Sequence, residues 1–220
     1  MFTDIRNEIT RDFLDIKIWL SSFPDSINDS DFYIINRGLF FVYIYGIYEK
    51  IITKTVSCTI SSLNNANVHL DECVYELYPL IFSNEYDGLY HVGNKTKWEK
   101  RWIISEKMIY NPIISIPIKL LPTDGRNIHF KQLESIAKSF GMKRDILPKN
   151  ENIGDLEEMV NNRNYIAHGD KNPQEIGRSY TKNDLIKKCD IISVICSYIV
   201  DCYEGYITQH EYLKGTSKNL

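Results

Sequence analysis

The chain has 220 residues, 43% of them hydrophobic and 25% charged, with 15 Tyr, 9 Phe and 3 Trp. This composition can fill a globular core and excludes a disordered chain. The formal net charge of −3 excludes a bulk polycation, so any contact with RNA or DNA must run through a local patch.

Residues 2 to 20 predict an amphipathic helix, with Phe2, Ile5, Ile9, Phe13, Ile16 and Leu20 recurring at spacings of three and four. After Pro24, Ser30 or Asp31 can cap a long second helix to about Leu63. Its apolar run GLFFVYIYGIY, residues 38 to 48, is too short to span a hydrocarbon layer of ~30 Å and reads as a buried helix. The β-branched string IITKTVSCTI could form a strand, but no turn signal separates it from the helix. A third helix is expected across VHLDECVYELYPLIF, kinked or ended by Pro79. Residues 84 to 122, punctuated by Gly88, Gly93, Pro112, Pro117 and Pro122, read as an insertion or irregular segment with short helices or a strand or two. Three helices follow. FKQLESIAKSFG ends at Gly141, IGDLEEMVNNRNYIAHG at Gly169, and a long last one starts at the capping pair Thr181 and Asp184. The fold class is mainly α, in one domain over residues 1–220.

The five cysteines are odd in number and contain no C-x-x-C pair. They argue against a disulfide framework or a zinc site and for a reducing compartment. MFTDIRNEITRDF has no apolar signal segment, so the expected location is the cytoplasm, away from any membrane. His69, His91, His129 and His210 form no metal-ligand spacing, and no nucleotide-binding glycine loop is present. Neither a metal nor a cofactor is expected.

The stretch NNRNYIAHGD, residues 161 to 170, carries the chemistry. On an ideal helix with Leu156 at zero, Val160 and Ala167 lie near 40° and 20° and Arg163 at about −20°, inside the apolar stripe. Asn164 and His168 fall at about 80° and 120°, an i, i+4 pair on its rim. A guanidinium in an apolar stripe needs an anionic partner. Glu49, at the end of the apolar run, is one candidate as a structural partner of Arg163, and a phosphate is another. Arg can clamp a phosphate, His can move a proton beside the carbonyl end of its helix, and Asn can hold either by hydrogen bonding. Because Arg163 and His168 diverge by about 140°, two copies meeting across a symmetric dimer would converge better than one.

Arg163 followed by Asn164, with four residues between Arg163 and His168 and AHG closing the helix, resembles the ribonuclease motif of the HEPN superfamily. The resemblance is to bacterial branches reading R-N-x-x-A-H-G. The segment TDGRNIHFKQLESIAKSFGM, the acidic helix start, the long last helix and the apolar helix ending in Glu49 are similar too. It implies an HEPN-like helical bundle that dimerises around a composite cleft. The implied activity is metal-independent RNA cleavage by attack of a ribose 2′-hydroxyl, leaving a cyclic phosphate. Arg163 and His168 match the catalytic pair and Asn164 the polar residue after the Arg. The implied settings are the toxin of a toxin–antitoxin pair or an antiviral defence effector, with an antitoxin or defence-system partner. The alternative is an inactive HEPN module that binds RNA or protein. Asp170 stands where some HEPN toxins carry a modified Tyr.

The segment NKTKWEKRWIISEK, residues 94 to 107, offers a second RNA-binding candidate in Lys95, Lys97, Trp98, Lys100 and Arg101. The blander expectation is an exposed amphipathic helix with Trp98 and Trp102 packed inward.

Overall fold

The structure, a computed structural model, describes residues 1–24, 30–118, 127–148 and 153–215. Among them it is mainly α-helical, with backbone bridges only at His69–Ile113 and Cys73–Leu213 outside the helices. The helices are α1 (Phe2–Ser21), α2 (Asp31–Asn65), α3 (Tyr78–Ile81), α4 (Ser83–Tyr90), α5 (Asn94–Ile109), α6 (Phe130–Ser139), α7 (Ile153–His168), α8 (Pro173–Gly177) and α9 (Lys182–Thr208). None is long and apolar enough to cross a membrane.

The chain divides into two compact units. One comprises Met1–Thr55, Gly125–Leu133 and Asp145–Asp201. Here the apolar stripe foreseen on α1 is buried from Phe2 to Leu20, against an α2 that buries Phe40, Phe41, Ile44, Tyr45, Ile47, Tyr48, Ile51 and Ile52. Leu185, Cys189, Ile192, Cys196 and Ile199 of α9 complete this core. Ion pairs tie the rim, with Arg6 to Asp201 and Lys17 to Asp190 at 2.5 Å each, and Lys54 to Glu8 at 2.6 Å. The IITKTVSCTI string is helical, because α2 runs unbroken through it. Thr181 and Asp184 cap α9 reciprocally, Asp184 Oδ2 accepting from the Thr181 amide at 2.9 Å and Thr181 Oγ1 from the Asp184 amide at 3.2 Å.

Helix α8 was not foreseen. Its signal is a capping box: Asn172 Oδ1 accepts from the Glu175 amide at 2.9 Å, Glu175 Oε2 from the Asn172 amide at 2.8 Å, and Pro173 sits in the first turn. It crosses α2 at glycines. A Cβ on Gly38 would lie 1.9 Å from the Pro173 carbonyl oxygen, and one on Gly177 would lie 1.9 Å from that of Ile34. The two backbones touch there, and only glycine permits it.

The other unit comprises Val56–Asp124, Glu134–Arg144 and Cys202–Leu220. The helix expected across residues 68 to 82 is absent as such. Two 3₁₀ turns, Leu70–Glu72 and Tyr75–Leu77, precede the single turn of α3. Cys73 and Val74 are extended because the Val74 amide is drawn to the Tyr212 carbonyl at 2.9 Å; that competing pairing interrupts the helix. Residues 84 to 118 are more regular than their Gly and Pro content suggests. Gly93 separates α4 from α5 and the prolines fall beyond α5, whereas residues 119–122 of the expected insertion lie outside the described residues. Phe140 packs edge-on to Tyr203 and Tyr206 at 5.6 and 5.9 Å, and Gly141, at φ +75°, ends the α6 segment.

Candidate active site

Helix α7 is buried along Leu156, Met159 and Val160 and fixed on a second side by hydrogen bonds. Asn162 donates to the Tyr180 hydroxyl at 2.8 Å, which donates to Glu158 at 2.5 Å. Lys188 reaches both Glu158 and Asp155, the latter at 3.1 Å. Burial, helped by the Glu158 contact, pushes the Tyr180 phenol up to about 12. Burial would lower Lys188 and raise Glu158, but their mutual hydrogen bond, with those of Asp155 and Tyr180, outweighs it. Lys188 is therefore raised and Glu158 lowered.

Arg163 is half-buried. Its guanidinium lies over the Tyr45 ring, 4.8 Å from the centroid, and donates to Asn164 Oδ1 at 3.3 Å. That bond draws the head group from the apolar stripe toward the Asn164 side of the helix. Glu49 is half-buried and is reached through Tyr45, whose hydroxyl lies 3.4 Å from Glu49 Oε1. Among the described residues no carboxylate pairs with Arg163. The Tyr45 hydroxyl also accepts from the Ile128 amide at 3.1 Å. Burial is the largest influence on this phenol and raises its pKa, so the ring under Arg163 stays neutral.

His168 is the last residue of α7 and is exposed, as are Tyr165 and Ala167. Gly169, at φ +78°, ends the helix as its sequence position suggested. Ala167, expected on the buried stripe, is exposed because the core stops at Val160 and the final turn extends past it. So Arg163 is held and His168 is open.

A further pair flanks this row. Glu157 Oε1 accepts from the Phe130 amide at 2.8 Å, at the start of α6, while Glu157 Oε2 lies 2.7 Å from His129 Nδ1. In the sequence Glu157 is one of the acidic residues at the start of its own helix. Its partner lies 28 positions away, and no local pattern announces it.

The family described as RiboL-PSP-HEPN matches residues 6–205. This chain belongs to that family. No curated protein and no solved structure matches it.

On this HEPN chain the second predicted patch differs from the blander expectation. Trp98 and Trp102 of α5 point outward, 75% and 61% exposed, and Ile104 alone of that helix is buried. Outward placement follows from the pairing of α5 with α4: Lys107 bridges to Glu85, and Lys100 donates to the Gly88 carbonyl at 3.3 Å, which turns the opposite face to solvent. Arg101 stacks on Trp98 at 5.3 Å. Lys95 and Lys97 share the helix, and Lys100 is taken up by α4.

Another feature of the HEPN chain was not foreseen. Phe32, Ile35, Leu39, Val42 and Gly46 are exposed along α2 at spacings of three, four, three and four. Alternating spacings of three and four are those of a helix-packing seam, and here the face is exposed. Gly46 leaves open space for a close approach, and the seam ends one residue from Tyr45.

Proposed function

We propose that this HEPN chain is a metal-independent endoribonuclease working as a homodimer in the cytoplasm, as the toxin of a toxin–antitoxin pair or an effector of antiviral defence. The observation that carries the reading is the state of Arg163. It is a half-buried guanidinium, backed by the Tyr45 ring and Asn164, with no carboxylate paired to it among the described residues. Of the two anionic partners open to it from the sequence, a phosphate is the one this environment favours. A buried aromatic backing and low exposure strengthen its charge toward such a ligand.

In this reading Arg163 and Asn164 hold the scissile phosphate. The ribose 2′-oxygen attacks phosphorus, the bond to the 5′-oxygen breaks, and a 2′,3′-cyclic phosphate and a 5′-hydroxyl result. Arg163 stabilises the charge that builds on the phosphoryl oxygens, and the exposed His168 takes part in proton transfer. The α2 seam supports a second copy docking beside Tyr45 and Glu49, which would place two α7 termini around one cleft. An antitoxin or defence-system partner would act by covering that cleft.

The test is cleavage of total RNA and tRNA in EDTA by wild type and His168→Ala, with product ends analysed for cyclic phosphate. Cleavage by wild type alone supports the proposal. Absence of cleavage by a folded dimer free of co-purified protein refutes it.

A second reading, an inactive module that binds RNA or protein, is favoured by the outward Trp98 and Trp102 with Arg101, Lys95 and Lys97 around them. Bases can stack on such rings while the cations meet phosphates. RNA retention without cleavage, lost in a Trp98→Ala, Trp102→Ala double variant, would select it.

A further inference from the structure

We infer that His129, held by Glu157, is the general base of the site. This rests on the ribonuclease reading above. In-line displacement at phosphorus needs a proton acceptor at the attacking 2′-hydroxyl and a proton donor at the departing 5′-oxygen, on opposite sides of the phosphate. His168 can serve only one side.

Glu157, Asn164 and His168 fall at about 100°, 80° and 120° on an ideal helix, one ridge along α7. Arg163 sits between the ends of that ridge, roughly 9 Å along the axis from Glu157 and 7.5 Å from His168 at 1.5 Å per residue, and its head group is bonded to Asn164. His129 is seated at the Glu157 end by the 2.7 Å contact. The residue before it gives its amide to the Tyr45 hydroxyl at 3.1 Å, and the Tyr45 ring lies under Arg163. The ridge thus seats an imidazole toward each end of the Arg163–Asn164 anchor, and it is the proposed dimer, rather than one copy, that would bring both kinds to one phosphate.

The contact also fixes which nitrogen is free. An ionised carboxylate only accepts, so Nδ1 of a neutral His129 carries the proton and Nε2 is left as the acceptor. The imidazole is about one-third exposed, with 34% of its side chain accessible. His129 Nε2 takes the proton of the 2′-hydroxyl as that oxygen bonds to phosphorus. The bond from phosphorus to the 5′-oxygen breaks, and protonated His168 gives its proton to that oxygen. Each turnover transfers one proton onto His129 and one off His168, and solvent restores both.

The experiment compares cleavage of RNA with that of uridine 3′-(4-nitrophenyl phosphate), whose leaving group needs no proton. Wild type, His129→Asn and His168→Ala are assayed, with helicity and Tm as folding controls. Asn can still donate to Glu157 and so keeps the α6 cap, but it is no base. The expectation is that His129→Asn loses roughly 10²–10⁴-fold in kcat on both substrates, whereas His168→Ala loses as much on RNA and little on the aryl ester. Because Asn keeps the bond to Glu157, a His129 that merely seated the start of α6 would leave the His129→Asn rates on both substrates near wild type. His129→Asn at wild-type rate on RNA, or recovering on the aryl ester, overturns the assignment while leaving the ribonuclease reading intact. A wild type that cleaves neither substrate overturns both. Where His129→Asn loses helicity, Glu157→Gln decides, a kcat loss on both substrates at unchanged Tm supporting the base and no loss refuting it.

Discussion

Gly38 and Gly46 lie eight residues apart on α2, and replacing each with Ala should move stability in opposite directions. Removing a helix-interior glycine contributes about 1 kcal/mol at either position through helix propensity and a less disordered unfolded chain. At Gly46 nothing lies within 4 Å of the new Cβ, so the gain stands. At Gly38 the Cβ would lie 1.9 Å from the Pro173 carbonyl oxygen, with the Pro173 carbonyl carbon and Cα at 2.6 and 2.7 Å, where contacts under 3.0 Å essentially never occur. The obstacle is backbone, so α8 must move by 1.1 Å or more (3.0 − 1.9). Overpacking of this kind costs roughly 1–3 kcal/mol and at times more. Against the propensity gain, Gly38→Ala should be net destabilised by up to about 2 kcal/mol, which separates the two variants by about 1–3 kcal/mol. With a urea m value near 2 kcal/mol per M, the Cm of Gly38→Ala falls by up to about 1 M and that of Gly46→Ala rises by about 0.5 M. Urea denaturation followed by circular dichroism at several protein concentrations reads both, since an effect acting through dimerisation shifts with concentration. A Gly38→Ala variant as stable as Gly46→Ala would refute the close crossing of α2 and α8.

Further outcomes are expected. Arg163→Lys keeps the charge but loses the planar fork and much of the stacking on Tyr45, so RNA cleavage should fall by roughly 10–100-fold with Tm nearly unchanged. Cleavage at wild-type rate would show that a point charge suffices. Leu39→Glu puts a carboxylate in the exposed α2 seam and should give a folded monomer by size-exclusion chromatography with light scattering, together with loss of cleavage; a dimer of unchanged dissociation constant would remove the seam from consideration. Glu158 has a folded pKa below its usual 4.5. Its contribution is therefore complete above the unfolded value and lost as pH falls through the folded one. Chemical denaturation between about pH 5 and pH 3 should find wild type losing more stability than Glu158→Gln, and parallel curves would contradict the Lys188–Tyr180 network as its source.

Much of the fold is legible because α1, α2, α6, α7 and α9 each bury a stripe that the residue spacing reveals, and Gly141 and Gly169 end α6 and α7 where expected. The misreadings share a cause in long-range pairing. Cys73 and Val74 leave the helical state for Leu213 and Tyr212, and the sequence near residue 70 carries no sign of a partner 140 positions away. Trp98 and Trp102 satisfy an amphipathic pattern, but a pattern does not say which face α4 will cover. Only α8 had an overlooked local signal, in Asn172, Pro173 and Glu175. At the site, Arg163, Asn164 and His168 stand in one short motif. The ring beneath Arg163 and the imidazole on Glu157 come from segments 118 and 28 residues distant (163 − 45 and 157 − 129), which folding alone brings together.

Helix α7 is fastened along its first three turns, by Leu156, Met159 and Val160, by Lys188 on Asp155 and Glu158, and by Asn162 on Tyr180. Its last turn, Tyr165 to His168, lies past that core and is held more lightly, by the Lys171 amide on the Tyr165 carbonyl at 3.2 Å and the Lys171 ammonium over the Tyr165 ring at 4.7 Å, before ending at a glycine. Amide exchange should therefore be graded along a single helix, with opening at Tyr165–His168 costing far less free energy than opening at Leu156–Val160. Any ligand that orders that turn must supply the entropy of ordering it, roughly 1–2 kcal/mol of backbone per residue fixed. A restraining protein that merely keeps the turn frayed would silence His168 without touching Arg163.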